Sequence, residues 1–367
     1  MYPPYERPPL SKEMLGGQIA VESTYLHTRD WYDNASIALR TGSLAVEIDR
    51  HSRKVHLDDS DILPYDFLVL ATGARPRRLN VPGADGPNIF MLRGIDDALA
   101  IRNRLVPGRR LAVIGAGFVG LEIAATARRA GMEVLVIESA MHPLARMVSS
   151  DVGYFFADLH RREGVEIRTG VTVSSISSDP SGVRLYTADG VSTQADTVVI
   201  GIGAVPNTEL ATSANLKVDD GILADQWGRS SDERIFAIGD VSRHFNPFLG
   251  RYVRLESWQN AQNQPVAVAK AMLGGTEPYA EVPWFWTDQY DLNIQIAGSP
   301  IKWDSVVTRG EPFSSGYVQA FLEDGVLVGA ITINNGRDMR RLRQMIANRE
   351  KFRLDAFMAS KRKSQVL

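Results

Sequence analysis

Short runs rich in Val, Ile and Leu alternate along the chain with stretches of helical spacing, which predicts α/β units built on buried parallel strands. Residues 66–76 (DFLVLATGARP) read as a buried strand running into a Gly/Pro turn. LAVIG (111–115) predicts a second buried strand, followed by a helix from about Phe118 to Ala130 that Gly131 ends as a C′ glycine. With EVLVIE (133–138) as the returning strand, 111–138 forms one βαβ unit. VEIRTGVTVSSI, GVRLYTADG and DTVVIGIGAVPN predict further strands, the middle ones as a hairpin excursion. IFAIGD (235–240) predicts another short buried strand ending in a turn. From about residue 283 the pattern changes to alternating strands (LNIQIAG, SGYVQAFLED, GVLVGAITI) and then a basic helix from about Arg337, so 283–367 reads as a separate α+β domain.

The 367 residues are enough for two to three domains, and 44% apolar with 23% charged residues describes an ordinary globular chain. A net charge of −2 excludes a globally basic nucleic-acid binder, and aromatic interleaving among the basic residues is thin. The chain has no cysteine, which removes thiol nucleophiles, disulfides, Cys-ligated zinc, iron–sulfur clusters held by this chain and any redox dithiol. No metal site is expected. Prolines in MYPPYERPPLSKEM stand where a signal peptide needs an apolar run. The nearly uncharged stretch 111–127 falls short of the ~20 residues of a spanning helix and holds three glycines. The expectation is therefore a cytoplasmic protein without a membrane segment.

Gly115-x-Gly117-x-x-Gly120 follows a predicted strand and opens a predicted helix. The three glycines serve a tight turn, close backbone approach to a pyrophosphate, and helix–strand packing, while the helix N-terminus offers N–H groups to the phosphates. Glu138, at the end of the returning strand, can accept both ribose hydroxyls of NAD and repel the 2′-phosphate of NADP; the alternative is a solvated strand-end acid. Arg146, downstream, could soften that preference. Glu122 lies in the first turns of the helix, where a carboxylate suits the dipole, yet it is flanked by an apolar LxIAA face. A buried carboxylate there needs a cationic partner.

Four segments, PYERPPLSK (4–12), LVLATGARPR (68–77), IGAGFVGLEIAATAR (114–128) and FAIGDV (236–241), together with VPWFWTDQYDLNIQIAG (282–298), resemble the flavin-dependent NADH:ferredoxin reductases of bacterial oxygenase systems. The similarity runs in order along essentially the whole chain. The resemblance implies two Rossmann-like FAD and NAD domains plus a C-terminal α+β interface domain: 1–97 with 216–282 for FAD, 98–215 for NAD, and 283–367. It implies Lys12 near the flavin ring with Glu122 as its carboxylate partner, and Arg7 in the same flavin-adjacent segment. Ala71, Thr72 and Gly73 match the turn over the FAD dinucleotide, and Asp240 the acid of the ribityl and pyrophosphate region. Trp286 matches an aromatic at the flavin and nicotinamide face, and Gly201 and Gly203 match backbone beside the nicotinamide. The implied activity passes electrons from NADH through FAD to a 2Fe-2S ferredoxin.

The family begins with a βαβ unit carrying a first glycine triplet for the FAD pyrophosphate. No such triplet occurs before residue 115, and Tyr5–Lys12 already matches a stretch downstream of that unit. About forty residues, the length of a βαβ unit, are expected to be lacking. Either the start codon is misplaced or the gene product is shorter. In the second case FAD affinity should fail while the NAD domain stands, leaving a flavin-free remnant or NAD-binding scaffold. An apoptosis-inducing-factor-like flavoprotein is a rival within the same fold, which PYERPPLSK and WFWTDQ disfavour; disulfide reductases need the absent cysteines.

Charge points to the partner. Residues 336–367 hold ten Lys or Arg, among them Arg337, Arg340, Arg341 and Arg343, against three acids; that net +7 leaves −9 for the rest. Such asymmetry would steer an acidic ferredoxin to this end.

Overall fold

The computed structural model describes residues 2–146, 148–298, 302–311 and 316–359. The chain divides into two units, each made of two stretches: Met1–Leu44 with Ala74–Val205, and Ala45–Gly73 with Pro206–Leu367.

The first unit is organised by a five-stranded parallel sheet in the order Ile89–Phe90, Thr197–Ile200, Arg110–Ile114, Glu133–Glu138, Glu166–Thr169. Its inner strands are buried along nearly their whole length, as a parallel sheet covered on both faces requires. The helices Phe118–Arg129 and Ser150–Arg162 follow two of these strands. Gly131 takes a φ of +84° just past the first helix, which makes it the C′ glycine that the sequence predicts.

VEIRTGVTVSSI is not one strand. Glu166–Thr169 joins the parallel sheet, the chain turns at Gly170 (φ +70°), and Val173–Asp179 opens an antiparallel meander with Gly182–Thr187 and Ser192–Ala195. This meander is the predicted excursion, and its inward Val183, Leu185 and Ala195 share a core with Ile114 and Ile137.

In the second unit Leu68–Leu70 and Ile235–Ala237 pair as parallel strands. Ala45–Asp49, Lys54–Leu57 and Ile62–Pro64 form an antiparallel sheet that the sequence pattern left unassigned. Ser242–Asn246 pairs with Ile222–Ala224 and Arg251–Arg254, and the helix Trp258–Met272 follows.

The predicted C-terminal α+β region is a five-stranded antiparallel sheet in the order Trp284–Gln289, Leu292–Gly298, Val326–Ile333, Tyr317–Glu323, Ser305–Arg309. The predicted basic helix spans Gly336–Ala347 and lays Met339, Leu342 and Ile346 onto this sheet against Val318, Ala320 and Ala330. Asn335 caps it by accepting from the Asp338 N–H at 3.3 Å. Among the described residues no helix is long and apolar enough to cross a membrane.

Candidate functional site

In the first unit the glycine triplet sits where the strand Arg110–Ile114 ends and the helix Phe118–Arg129 begins. Gly115 has a φ of +101°, and a Cβ there would lie 2.4 Å from the Gly201 carbonyl oxygen. A Cβ on Gly120 would lie 2.2 Å from the Gly115 carbonyl oxygen, so helix and loop touch through bare backbone. At Gly117, the helix N-cap, the nearest atom to such a Cβ is 3.9 Å away; the space outside the turn is open and no side chain caps the helix. Uncapped N–H groups facing open space suit a phosphate.

Glu138 is tied to this loop. Its Oε2 accepts from the Ala116 N–H at 2.7 Å and its Oε1 from the Ala140 N–H at 2.8 Å and the Ser139 hydroxyl at 3.2 Å. A carboxylate so anchored keeps acceptor capacity for ribose hydroxyls. Gly201 and Gly203 follow the neighbouring strand; Gly203, at φ +109°, has Arg146 Nη2 3.2 Å from where its Cβ would stand. Arg146 therefore lies over the Gly203 turn.

The same helix buries Glu122, which is 6% exposed. Lys12 Nζ lies 3.3 Å from Glu122 Oε1, and the Ser11 hydroxyl donates to Glu122 Oε2. One turn on, the Thr126 hydroxyl donates to the Ser11 carbonyl at 2.9 Å. The turn Pro8–Ser11 is thus gripped twice by one helix face, and the carboxylate gains both a cation and a hydroxyl donor. No sequence motif singles out Ser11 or Thr126; the one signal is Thr126 at i+4 from Glu122. Arg7 donates to the Arg93 carbonyl at 2.5 Å and lies over the Tyr5 ring.

In the second unit, Ala71–Gly73 and Asp240 follow the carboxyl ends of two adjacent parallel strands, joined by the Ile238 N–H donating to the Leu70 carbonyl at 3.1 Å. That is where open α/β sheets bind ligands. Ala71 and Thr72 are exposed. Asn207 clasps the turn: its side-chain amide donates to the Thr72 carbonyl at 2.9 Å, and its carbonyl accepts from the Thr72 hydroxyl at 2.7 Å. Gly239 is held by Gln264 Oε1 at 2.8 Å, and a Cβ on it would meet nothing within 4 Å. Open backbone beside a carboxylate fits the close approach of a dinucleotide. An apolar cavity of about 200 Å³, lined by Ile48, Val55, Leu70 and Ala71 among others, lies beside it.

Trp286 belongs to the same unit. Its indole N–H donates to Asp288 Oδ2 at 3.1 Å, its ring stacks on Trp284 (5.4 Å, 26°), and the Trp258 ring meets it edge-on at 5.5 Å.

The four arginines taken together for docking separate. Arg337, Arg340 and Arg341 are exposed on the helix Gly336–Ala347, whereas Arg343 turns inward over the Trp284 ring at 4.7 Å. Burial lowers the Arg343 guanidinium from its usual value, against the opposing pull of Glu281. Lys361, Arg362 and Lys363 lie outside the described residues.

Residues 2–265 match the family described as pyridine nucleotide-disulphide oxidoreductase, and residues 284–363 match the reductase C-terminal family. The chain is 43% identical to the ferredoxin–NAD(+) reductase component of the anthranilate 1,2-dioxygenase system of Burkholderia cepacia, over 94% of this chain and 85% of that one. It is 41% identical to the rhodocoxin reductase of Rhodococcus erythropolis, over 94% and 81%. Among solved structures, the covalent putidaredoxin reductase–putidaredoxin complex is similar at a TM-score of 0.92 and 35% identity, over 97% of this chain and 87% of that one.

Proposed function

The chain belongs to the pyridine nucleotide-disulphide oxidoreductase family, with a reductase C-terminal domain, and on that premise we propose that it is a flavoprotein passing electrons from NADH through FAD to a 2Fe-2S ferredoxin of an oxygenase system. The disulphide chemistry in the family's name has no counterpart here, because the chain has no cysteine. The chemistry FAD supplies when bound is to accept hydride from NADH and to release the two electrons singly.

The residues divide the remaining work. Gly115, Gly117 and Gly120 let the helix N-terminus meet the NADH pyrophosphate, and Glu138 takes the ribose hydroxyls and disfavours a 2′-phosphate. Gly201 and Gly203 supply the backbone beside the nicotinamide, with Arg146 lying over the Gly203 turn. Ala71, Thr72, Gly73 and Asp240 hold FAD at the second strand end, and Arg7 belongs to the flavin-adjacent segment that carries Lys12. Lys12 brings a positive charge to the flavin ring, and Glu122 with Ser11 fixes its direction. Trp286 faces flavin and nicotinamide. No side chain need move a proton. We propose domain limits of 1–97 with 216–282 for FAD, 98–215 for NAD and 283–367; family matches ending at 265 and starting at 284 support the last boundary. Arg337, Arg340 and Arg341 attract an acidic ferredoxin, and we place this work in the cytoplasm.

The observation that carries this reading is the buried Lys12–Glu122 pair on the helix that the glycine loop opens. Anaerobic titration with NADH, followed by flavin absorbance, tests it. The Lys12→Ala, Glu122→Ala double variant should reduce its flavin at least about tenfold more slowly. Unchanged reduction removes both residues from the mechanism, and a wild-type protein that stays colourless when offered FAD defeats the reading itself.

A further inference from the structure

Trp284 and Trp286 alternate along the strand Trp284–Gln289 and so project from the same face of their sheet. Trp286 is fixed on three sides, by Asp288 through its N–H, by the Trp258 edge and by the Trp284 ring. Trp284 is different. Its indole N–H is buried without an acceptor among the described residues, so no hydrogen bond sets the tilt of its ring. Its backbone N–H is anchored, donating to Gln259 Oε1 at 3.1 Å, and Gln259 in turn donates to Glu281. On the ring itself lie the stacked Trp286 and the Arg343 guanidinium, 4.7 Å from the centroid, while the ring packs against the core of the C-terminal sheet.

Arg343 is placed at a cost. It is half-buried, its Nε has no partner among the described residues, and Glu281, which also accepts from Asn263 at 2.6 Å, acts on it only through charge. Its neighbours Arg337, Arg340 and Arg341 remain exposed on the same helix. A guanidinium over an indole face compensates for the missing hydrogen bond, and the compact ammonium of a lysine covers less of the ring.

We propose that Arg343 is a positioning residue whose guanidinium, laid on Trp284, fixes the tilt of the Trp284–Trp286 pair and thereby the plane that Trp286 presents to its ligand. This rests on the reading above that Trp286 faces flavin and nicotinamide. It separates the basic helix into two roles: Arg337, Arg340 and Arg341 act on a partner, and Arg343 acts on the indoles.

The test uses the full chain loaded with FAD, with Arg343→Met, Arg343→Lys, Arg340→Gln and Trp284→Leu compared by near-ultraviolet circular dichroism, by the KM for NADH and by the salt dependence of ferredoxin reduction. Arg343→Met should lose the same indole band that Trp284→Leu loses. It should raise the KM for NADH about threefold to thirtyfold, the range cation–π contacts span from exposed to desolvated, with the salt dependence unchanged. Arg343→Lys should recover part of the band, and Arg340→Gln should keep the band while flattening the salt dependence. The proposal is overturned if Arg343→Met keeps the band, or if it flattens the salt dependence as Arg340→Gln does. Should Arg343→Met not fold, Arg343→Lys decides: a partial loss of the band with unchanged salt dependence supports the proposal, and a full wild-type band or a flattened salt dependence overturns it. If no variant, nor the wild type, reduces ferredoxin, the proposed function fails, while the dichroism still decides whether Arg343 positions the indoles.

Discussion

The two units each end parallel strands in a backbone turn, but they build the turn differently. After Arg110–Ile114, Gly115 and Gly120 meet carbonyl oxygens at distances no Cβ tolerates, and the site is shaped by packing. After Leu68–Leu70 and Ile235–Ala237, the turn is open: Ala71 and Thr72 are exposed, Gly239 faces free space, and Asn207 and Gln264 hold the backbone by hydrogen bonds. A site made by packing is intolerant of one added methyl, whereas a site made by side-chain clasps is sensitive to a lost polar atom.

The sharpest way to break this contrast is Gly115→Ala. The added Cβ meets the Gly201 carbonyl and the φ of +101° is itself unfavourable to alanine, so a loss of about 2–5 kcal/mol is expected together with NADH binding. Denaturant titration and NADH calorimetry measure the two. Wild-type behaviour in both would show that the loop relaxes freely.

Next in size is an acid effect confined to the second unit. His244 is 1% exposed, neither ring nitrogen has a hydrogen-bond partner among the described residues, and burial pushes it down to about 4 from 6.5. The unfolded chain therefore takes up the proton first. Stability from this group is complete above 6.5 and is lost as pH falls toward 4, by about 3 kcal/mol in total. Five of the six tryptophans lie in the second unit, so tryptophan-detected urea unfolding at pH 7 and pH 4.5 reports it. His244→Phe should remove most of the difference; an equal acid loss in that variant would assign the effect elsewhere.

The smallest expected effect sharpens the clasp. Thr72→Val deletes the 2.7 Å bond to the Asn207 carbonyl and should cost about 1 kcal/mol, with weaker FAD retention on dialysis. If FAD retention is unchanged, the Asn207 amide alone holds the turn.

The packed site was the legible one. Gly115, Gly120 and Gly131 are written into the sequence because a turn, a close approach or a positive φ leaves no other residue a place there, Gly117 keeps the outer side of the turn clear, and all four occur at fixed offsets from an apolar strand. Glu122 could be read as needing a cation, but Ser11 and Thr126 could not be found. Their contact joins positions more than a hundred residues apart, and a single serine or threonine carries no pattern. Arg343 illustrates another limit. Four arginines within seven residues look alike in sequence, and only the indole waiting on the sheet decides which one turns inward. The sheet spanning Ala45–Pro64 is not legible in the sequence because its strands are short and leave Val46, Ile62 and Leu63 exposed, which blunts the alternation. Gly170 split an apparent single strand for a reason that lies in two different sheets.

One helix carries both Gly117 at its start and Glu122 and Thr126 farther along, so it works as a ruler as well as a scaffold. Adding a single residue between Gly120 and Glu122 would swing everything beyond it by about 100° and turn the carboxylate away from its lysine. Length changes in descendants of this chain should therefore gather in the connections on either side of the rod and be missing from the short stretch between its two duties.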